Sequence, residues 1–215
     1  MTSHNSSQEY LKSLNEYSNP QWVEEVNYFC RNFLDIENSS IIDIGCGIGY
    51  VLKKLPKNNR LLVGLDVSRY LVSHAKAHCG NKKCHFLVAD ANSLPFAKSV
   101  FDHAFMIEVI EHLSDPGRAL SECARILRRG GQLTLTTPNG SYYKVLHHRS
   151  LVSLYHVDEY AFWEIMRMIA LSGFSLSRLR VSNRWPFRSV LRILGKISLL
   201  APLIPGRFYI DAKRK

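Results

Sequence analysis

The glycines Gly45, Gly47 and Gly49 stand at alternate positions directly after the apolar run Ile41-Ile42-Asp43-Ile44. Glycine has no Cβ, so a strand that ends in such a turn brings its backbone close to whatever binds there. The next apolar run, Leu61-Leu62-Val63-Gly64-Leu65, ends in Asp66. A second parallel strand would place that carboxylate where a ribose is held in a strand-turn-helix nucleotide site. Few chains other than an open α/β sheet accommodate this pairing, and a nucleotide-like ligand follows from it.

The spacing narrows the ligand. A dinucleotide fingerprint reads Gly-x-Gly-x-x-Gly and sets a pyrophosphate on a helix N-terminus. Here the pattern is Gly45-x-Gly47-x-Gly49, with Asp43 two residues ahead. A carboxylate at the strand end suits a cation better than a pyrophosphate. S-adenosylmethionine (SAM) carries an amino group, a sulfonium and a ribose, and no phosphate. The competing reading is a tight strand-helix turn without a ligand.

Further segments extend the pattern. Phe86-Leu87-Val88-Ala89-Asp90-Ala91 forms a third strand with an acid at its end, and Leu94-Pro95-Phe96 with Ser99-Val100-Phe101-Asp102 leads into a fourth. Glu108-Val109-Ile110-Glu111-His112-Leu113 follows that strand. Arg125-Ile126-Leu127-Arg128-Arg129-Gly130-Gly131 then leads to Leu133-Thr134-Leu135-Thr136-Thr137-Pro138-Asn139. Over about residues 40–180 these motifs resemble the class I SAM-dependent methyltransferases, and most of all small-molecule methyltransferases of the ubiquinone-biosynthesis type. The resemblance implies a doubly wound, mostly parallel seven-stranded α/β sheet with an antiparallel last strand. It also implies SAM as cofactor and methyl transfer as activity.

Strands are expected at 40–45, 61–66, 84–89, 101–107, 132–137, 174–181 and 208–213, and helices at 20–35, 48–55, 69–79, 116–128 and 158–172. Strand-helix alternation implies a parallel sheet whose ligands bind beyond the strands' carboxyl ends. Asp43, Asp66, Asp90 and Glu108 all fall at such ends. A chain of 215 residues suits a single α/β domain. A polar N-terminus over 1–19 precedes it, and 183–206 is inserted between the last two strands.

In the resembled family Asp43 and the Gly45, Cys46, Gly47 and Gly49 loop bound the methionine end of SAM. Asp66, followed by Val67, would hold the ribose hydroxyls, and Asp90 and Ala91 would flank the adenine. Glu108 would line the same pocket. Only histidine titrates near neutrality unperturbed, so His112 and His156 join Glu108 as catalytic candidates. The Glu108-x-x-Glu111-His112 run resembles a divalent-metal pattern of some ubiquinone-pathway and small-RNA methyltransferases. If the segment turned helical, its second pair would lie one turn beyond Glu108. We expect no metal there, with Glu111 and His112 as supporting residues. The 138–157 loop, with Tyr142, Tyr143, His147, His148, Arg149, Tyr155 and His156, is the expected acceptor reader.

Charge is distributed unevenly. The formal net charge is +10, from 28 basic and 18 acidic residues. From Arg178 to Lys215 there are ten basic residues and one acid, so this stretch carries +9 of the total. Within it Arg188, Arg192 and Lys196 recur every four residues among Val190, Leu191, Ile193, Leu194, Ile197, Leu199 and Leu200. A helix would place these cations on one stripe. Such a helix suits either an anionic membrane surface or packing on this domain or a second subunit. Five cysteines form no even disulfide framework and the N-terminus has no apolar core, so a cytoplasmic protein, peripheral at the inner membrane face, is expected. His78-Cys79 and Cys84-His85 fit no common zinc spacing and read as a helix end and a strand start.

The partner expected is a small-molecule acceptor, with nucleic acid less favoured. The alternatives are an RNA methyltransferase using Glu-x-x-Glu-His and a non-catalytic SAM-binding protein. Oligomeric state has no sequence signal.

Overall fold

The computed structural model describes residues 36–79, 83–141, 158, 160–182 and 206–215. The helix expected at 20–35, most of the 138–157 loop including His156, and the basic insertion up to 205 lie outside these residues. The strands are β1 (Ser40–Ile44), β2 (Leu61–Asp66), β3 (Cys84–Val88), β4 (Phe101–Ile107), β5 (Leu127–Pro138), β6 (Phe174–Ser182) and β7 (Arg207–Arg214). The described helices are α1 (Tyr50–Lys54), α2 (Arg69–His78), α3 (Pro116–Ile126) and α4 (Phe162–Leu171), and a 3-10 turn spans Ile110–His112. The seven strands form a mixed sheet in the order β3-β2-β1-β4-β5-β7-β6. This is the doubly wound α/β class expected from the sequence. The chain divides into two compact units, residues 1–91 and 92–215.

In the first unit β1, β2 and β3 run parallel, with Ile42 opposite Val63 and Gly64 opposite Phe86. β1 is buried along its whole length, which is why its sequence is an apolar run and not an alternation. Ser68 caps α2 by accepting from the Leu71 amide at 3.4 Å. Phe86 locks the layers: a Cβ on Gly64 would lie 2.5 Å from its ring, and one on Gly49 would lie 2.9 Å from it. These two glycines are therefore needed for space, and Gly49 also for its φ of 73°. Cys79 ends α2 and Cys84 opens β3, so the His-Cys pairs fall at a helix end and a strand start.

In the second unit β4 and β5 are parallel, and β7 lies antiparallel to both β5 and β6. Asp115 caps α3 with Pro116 in the first turn. A buried polar chain stitches three strands: His103 contacts the Thr134 hydroxyl at 3.0 Å, and that hydroxyl donates to Asp211 at 2.9 Å. Arg125 donates to the Leu94 and Phe96 carbonyls and pairs with Glu122, which in turn accepts from the Leu94 amide. The two motif segments Leu94-Pro95-Phe96 and Arg125-Ile126-Leu127 are thus one structural joint.

Two expectations are corrected. β5 begins at Leu127 and not at 132, and no Gly-Gly turn separates it from α3. The pairing steps from Phe101–Leu127 to His103–Gln132, so Asp102 alone faces residues 128–131, and Gly130 absorbs the bulge at φ 74°. The helix expected from 158 begins at Phe162, because Asp158 and Tyr160 are non-helical and the Glu164 carboxylate accepts from the Ala161 amide at 2.6 Å.

Candidate functional site

The first unit holds the residues expected to bind the cofactor. Asp66 at the end of β2 accepts from the Gly47 amide at 2.9 Å and from the Ser68 amide at 2.8 Å, one on each oxygen. Each oxygen keeps a second acceptor site, so the carboxylate ties the glycine loop to β2 and can still accept from two hydroxyls. The loop is further held by the Gly45 and Cys46 amides, which both donate to the Leu65 carbonyl. Gly45 and Gly47 have φ of 74° and 50°. A Cβ on Gly47 would meet nothing within 4 Å, so the loop leaves open space at its apex. Cys46, by contrast, is buried at 7% exposure, with its sulfur 2.9 Å from where a Gly64 Cβ would stand. It supports the loop from beneath.

Asp43 is the electrostatic outlier. It is only 2% exposed, and its Oδ2 has no hydrogen-bond partner. Burial, and then the neighbouring Asp66 charge, push its pKa up to about 8. Asp66 is raised too by burial, offset by its amide donors. A buried acid with a bare oxygen beside a second carboxylate is a site for a cationic group, since a positive charge relieves both penalties. An amino group and a ribose diol fit this arrangement. Val67 is 76% exposed, a large apolar side chain in the open next to Asp66. Two residues beyond β3, Asp90 is exposed and Ala91 buried.

The second unit holds Glu108, Glu111 and His112. Glu108 follows the last residue of β4 at φ 54°, a left-handed backbone rare for a side chain of its kind. Thr136 pins it there. Its carbonyl and its hydroxyl both accept from the Glu108 amide at 3.1 Å, and the hydroxyl donates to Glu108 Oε1 at 2.7 Å. Arg207 Nε donates to Glu108 Oε2 at 2.7 Å. Glu111 is fully buried: its Oε2 accepts from the Thr137 hydroxyl at 3.2 Å and its Oε1 has no partner. Burial first, and the Glu108 charge second, raise its pKa well above the ordinary value. His112 is exposed, and its amide donates to the Val109 carbonyl.

The one-turn stacking of Glu108 on Glu111 and His112 does not form. Val109 is non-helical, the following turn is 3-10, and Glu108 lies outside it with positive φ. Among the described residues no three His, Cys, Asp or Glu side chains come together as a metal cluster. Nor do these residues fit a divalent cation: both Glu108 oxygens already accept from Thr136 and Arg207, and Glu111 is sealed from solvent. Sequence reasoning missed Arg207, which stood only as one of ten tail cations, and the two threonines. No local signal marks them, because Arg207 lies 99 residues from Glu108.

A family profile described as a methyltransferase domain matches residues 42–135, the stretch that carries the loop, Asp66 and Glu108. Over that stretch the chain is similar to the class I SAM-dependent methyltransferases. This similarity supports SAM as its cofactor. The ubiquinone biosynthesis O-methyltransferase of Coxiella burnetii is 28% identical over 116 residues, covering 53% of this chain and 50% of that protein. The chain thus spans about half the length of the curated relatives it matches first. Among solved structures, a SAM-dependent methyltransferase from Mesorhizobium loti has a TM-score of 0.65 at 18% identity, over 86% of this chain and 95% of that one. The [4+2]-cyclase SpnF has a TM-score of 0.69 at 18% identity, over 89% and 80%. These two likenesses speak for the fold, and the second shows that the fold alone does not name a reaction.

Proposed function

We propose that this methyltransferase moves the methyl group of SAM to a hydroxyl of a small-molecule acceptor. The observation that carries this reading is the buried Asp43 carboxylate, with its Oδ2 unpartnered, and a glycine loop tethered to Asp66, which fit an amino group and a ribose. SAM supplies a methyl already activated on a sulfonium, so the protein's part is to position, exclude water and take a proton. Asp43 would meet the amino group, Asp66 the ribose hydroxyls, and Val67, Asp90 and Ala91 the adenine.

Glu108 has both oxygens engaged, so it orients and does not collect a proton. In our reading the proton of the acceptor hydroxyl goes to exposed His112, with His156 as the other candidate. The relatives named for O-methyl transfer favour oxygen as acceptor atom. RNA has only the basic tail in its favour.

The full chain, methyl-labelled SAM and a metabolite extract make the test. Label should enter small molecules, and His112→Ala should lower kcat while leaving SAM affinity within about twofold, as expected of a proton acceptor that does not bind cofactor. Label found only in RNA or protein would sink the reading. Contact of the 183–206 segment with anionic membrane is a further part of this proposal. No helix among the described residues is long and apolar enough to cross a membrane. The intact chain should float with anionic liposomes and a form lacking 183–206 should not; equal flotation rejects the contact.

A further inference from the structure

The Glu108-to-His112 run has the composition of a metal site, yet Arg207 stands where a cation would serve it. Its guanidinium reaches Glu108 Oε2 at 2.7 Å, with both side chains about three-quarters buried (28% and 23% exposed). The ion pair is a consequence of topology. β7 runs antiparallel to β5, with Arg207 opposite Pro138 and Thr136 opposite Tyr209. The first residue of β7 therefore arrives at the end of the sheet where β5 finishes and where Glu108 follows β4. Thr136 holds the second Glu108 oxygen, and Thr137 holds one oxygen of Glu111. The remaining Glu111 oxygen is buried without a partner. Both Glu108 oxygens and one Glu111 oxygen are thus engaged by Arg207, Thr136 and Thr137.

We propose that Arg207 supplies from within the chain the positive charge that the Glu108, Glu111 and His112 run would otherwise draw from a divalent cation, and so makes this site metal-independent. Arg207 is a positioning residue: it holds Glu108, to which the methyl-transfer reading gives an orienting part. The proposal rests on that reading only for the part Glu108 plays. A guanidinium cannot lose its charge at accessible pH, so the substitution is permanent, whereas a bound cation exchanges with solvent.

Mn2+ binding to the full chain, read by electron paramagnetic resonance after chelator treatment, tests this directly. The native chain should bind Mn2+ with Kd above about 1 mM, the weak end of oxygen-ligand sites. Arg207→Met should tighten binding by about tenfold or more, since it frees Glu108 Oε2 from its ion pair and leaves that carboxylate unneutralised. Arg207→Lys should behave as the native chain, and adding Glu108→Gln to Arg207→Met should remove the gain. Calorimetry with SAM on every variant reports folding, and Arg207→Gln replaces Arg207→Met if the latter fails it. Native Mn2+ binding as tight as that of Arg207→Met overturns the proposal. So does the absence of any gain in a folded variant, or loss of native methyl transfer on chelation. If no methyl transfer occurs with or without metal, the functional reading fails instead, and the Mn2+ comparison still decides the role of Arg207.

Discussion

The two units of the chain manage buried charge in opposite ways. In the first, Asp43 is sealed with a bare oxygen, and only Asp66 is satisfied, by backbone amides within 19 residues of sequence. In the second, nearly every buried charge meets a side chain from far away: Glu108 with Arg207, and Asp211 with Thr134 and Arg180. The first unit is left electrostatically incomplete at Asp43, where our proposal places the cofactor's amino group. The second settles most of its charges with distant side chains and leaves one Glu111 oxygen bare. An incomplete site is costly without its ligand but gains the full interaction on binding, because the desolvation penalty was met on folding.

The largest effect that would sharpen this contrast is on stability against pH, where Asp43 and His103 should carry opposite signs. Asp43 has its folded pKa raised from 3.8 to about 8. The native state therefore keeps a proton that the unfolded chain gives up, and stability is lost as pH rises from about 4 to about 8. His103 is lowered by burial from 6.5 to about 4, so the unfolded chain takes the proton first, and stability is lost as pH falls through that window. Thermal melts from pH 4 to 9 should show both limbs. Asp43→Asn should reduce the alkaline limb, leaving the part that Glu111 contributes, and His103→Gln should reduce the acid limb alone; a single variant that removes both limbs would refute the separation.

A smaller effect sharpens it on the ligand side. Asp66→Ala removes both a ribose acceptor and the anchor of the Gly47 and Ser68 amides. SAM affinity measured by calorimetry should fall by about 100-fold, about 2.7 kcal/mol, the scale of two charge-assisted hydrogen bonds. Unchanged affinity would remove Asp66 from the site. The smallest effect is steric. Gly64→Ala drives a methyl to 2.5 Å from the Phe86 ring and 2.9 Å from Cys46. Overpacking of this kind should cost about 2 kcal/mol and lower Tm by about 4–8 °C. An unchanged Tm would show that Phe86 moves freely and does not brace the loop.

Much of the first unit was legible in advance because its parts are close in sequence. Gly45 to Gly49 need positive φ or space, and an apolar run ending in an acid marks a buried strand and its exit. β5 was misread at its start for a reason of the same kind. Gly130-Gly131 signals a turn, and a bulge opposite Asp102 demands the same backbone conformations, so local sequence cannot separate the two. The Glu108-x-x-Glu111-His112 spacing was equally ambiguous. It would stack in an α-helix, and the Thr136 contacts hold Glu108 out of one.

The sequence by itself determined the α/β class, the cofactor loop and the acids at the strand ends, since each depends on residues a few positions apart and on backbone rules that act locally. Only the tertiary structure decided that Glu108 is neutralised by Arg207, that Glu111 is sealed with one oxygen bare, and that Asp43 is buried deeply enough to hold a proton near neutrality. Those facts come from strand order and register. An antiparallel β7 joins residues 99 positions apart, and desolvation depends on everything packed around a group, which no short stretch of sequence records.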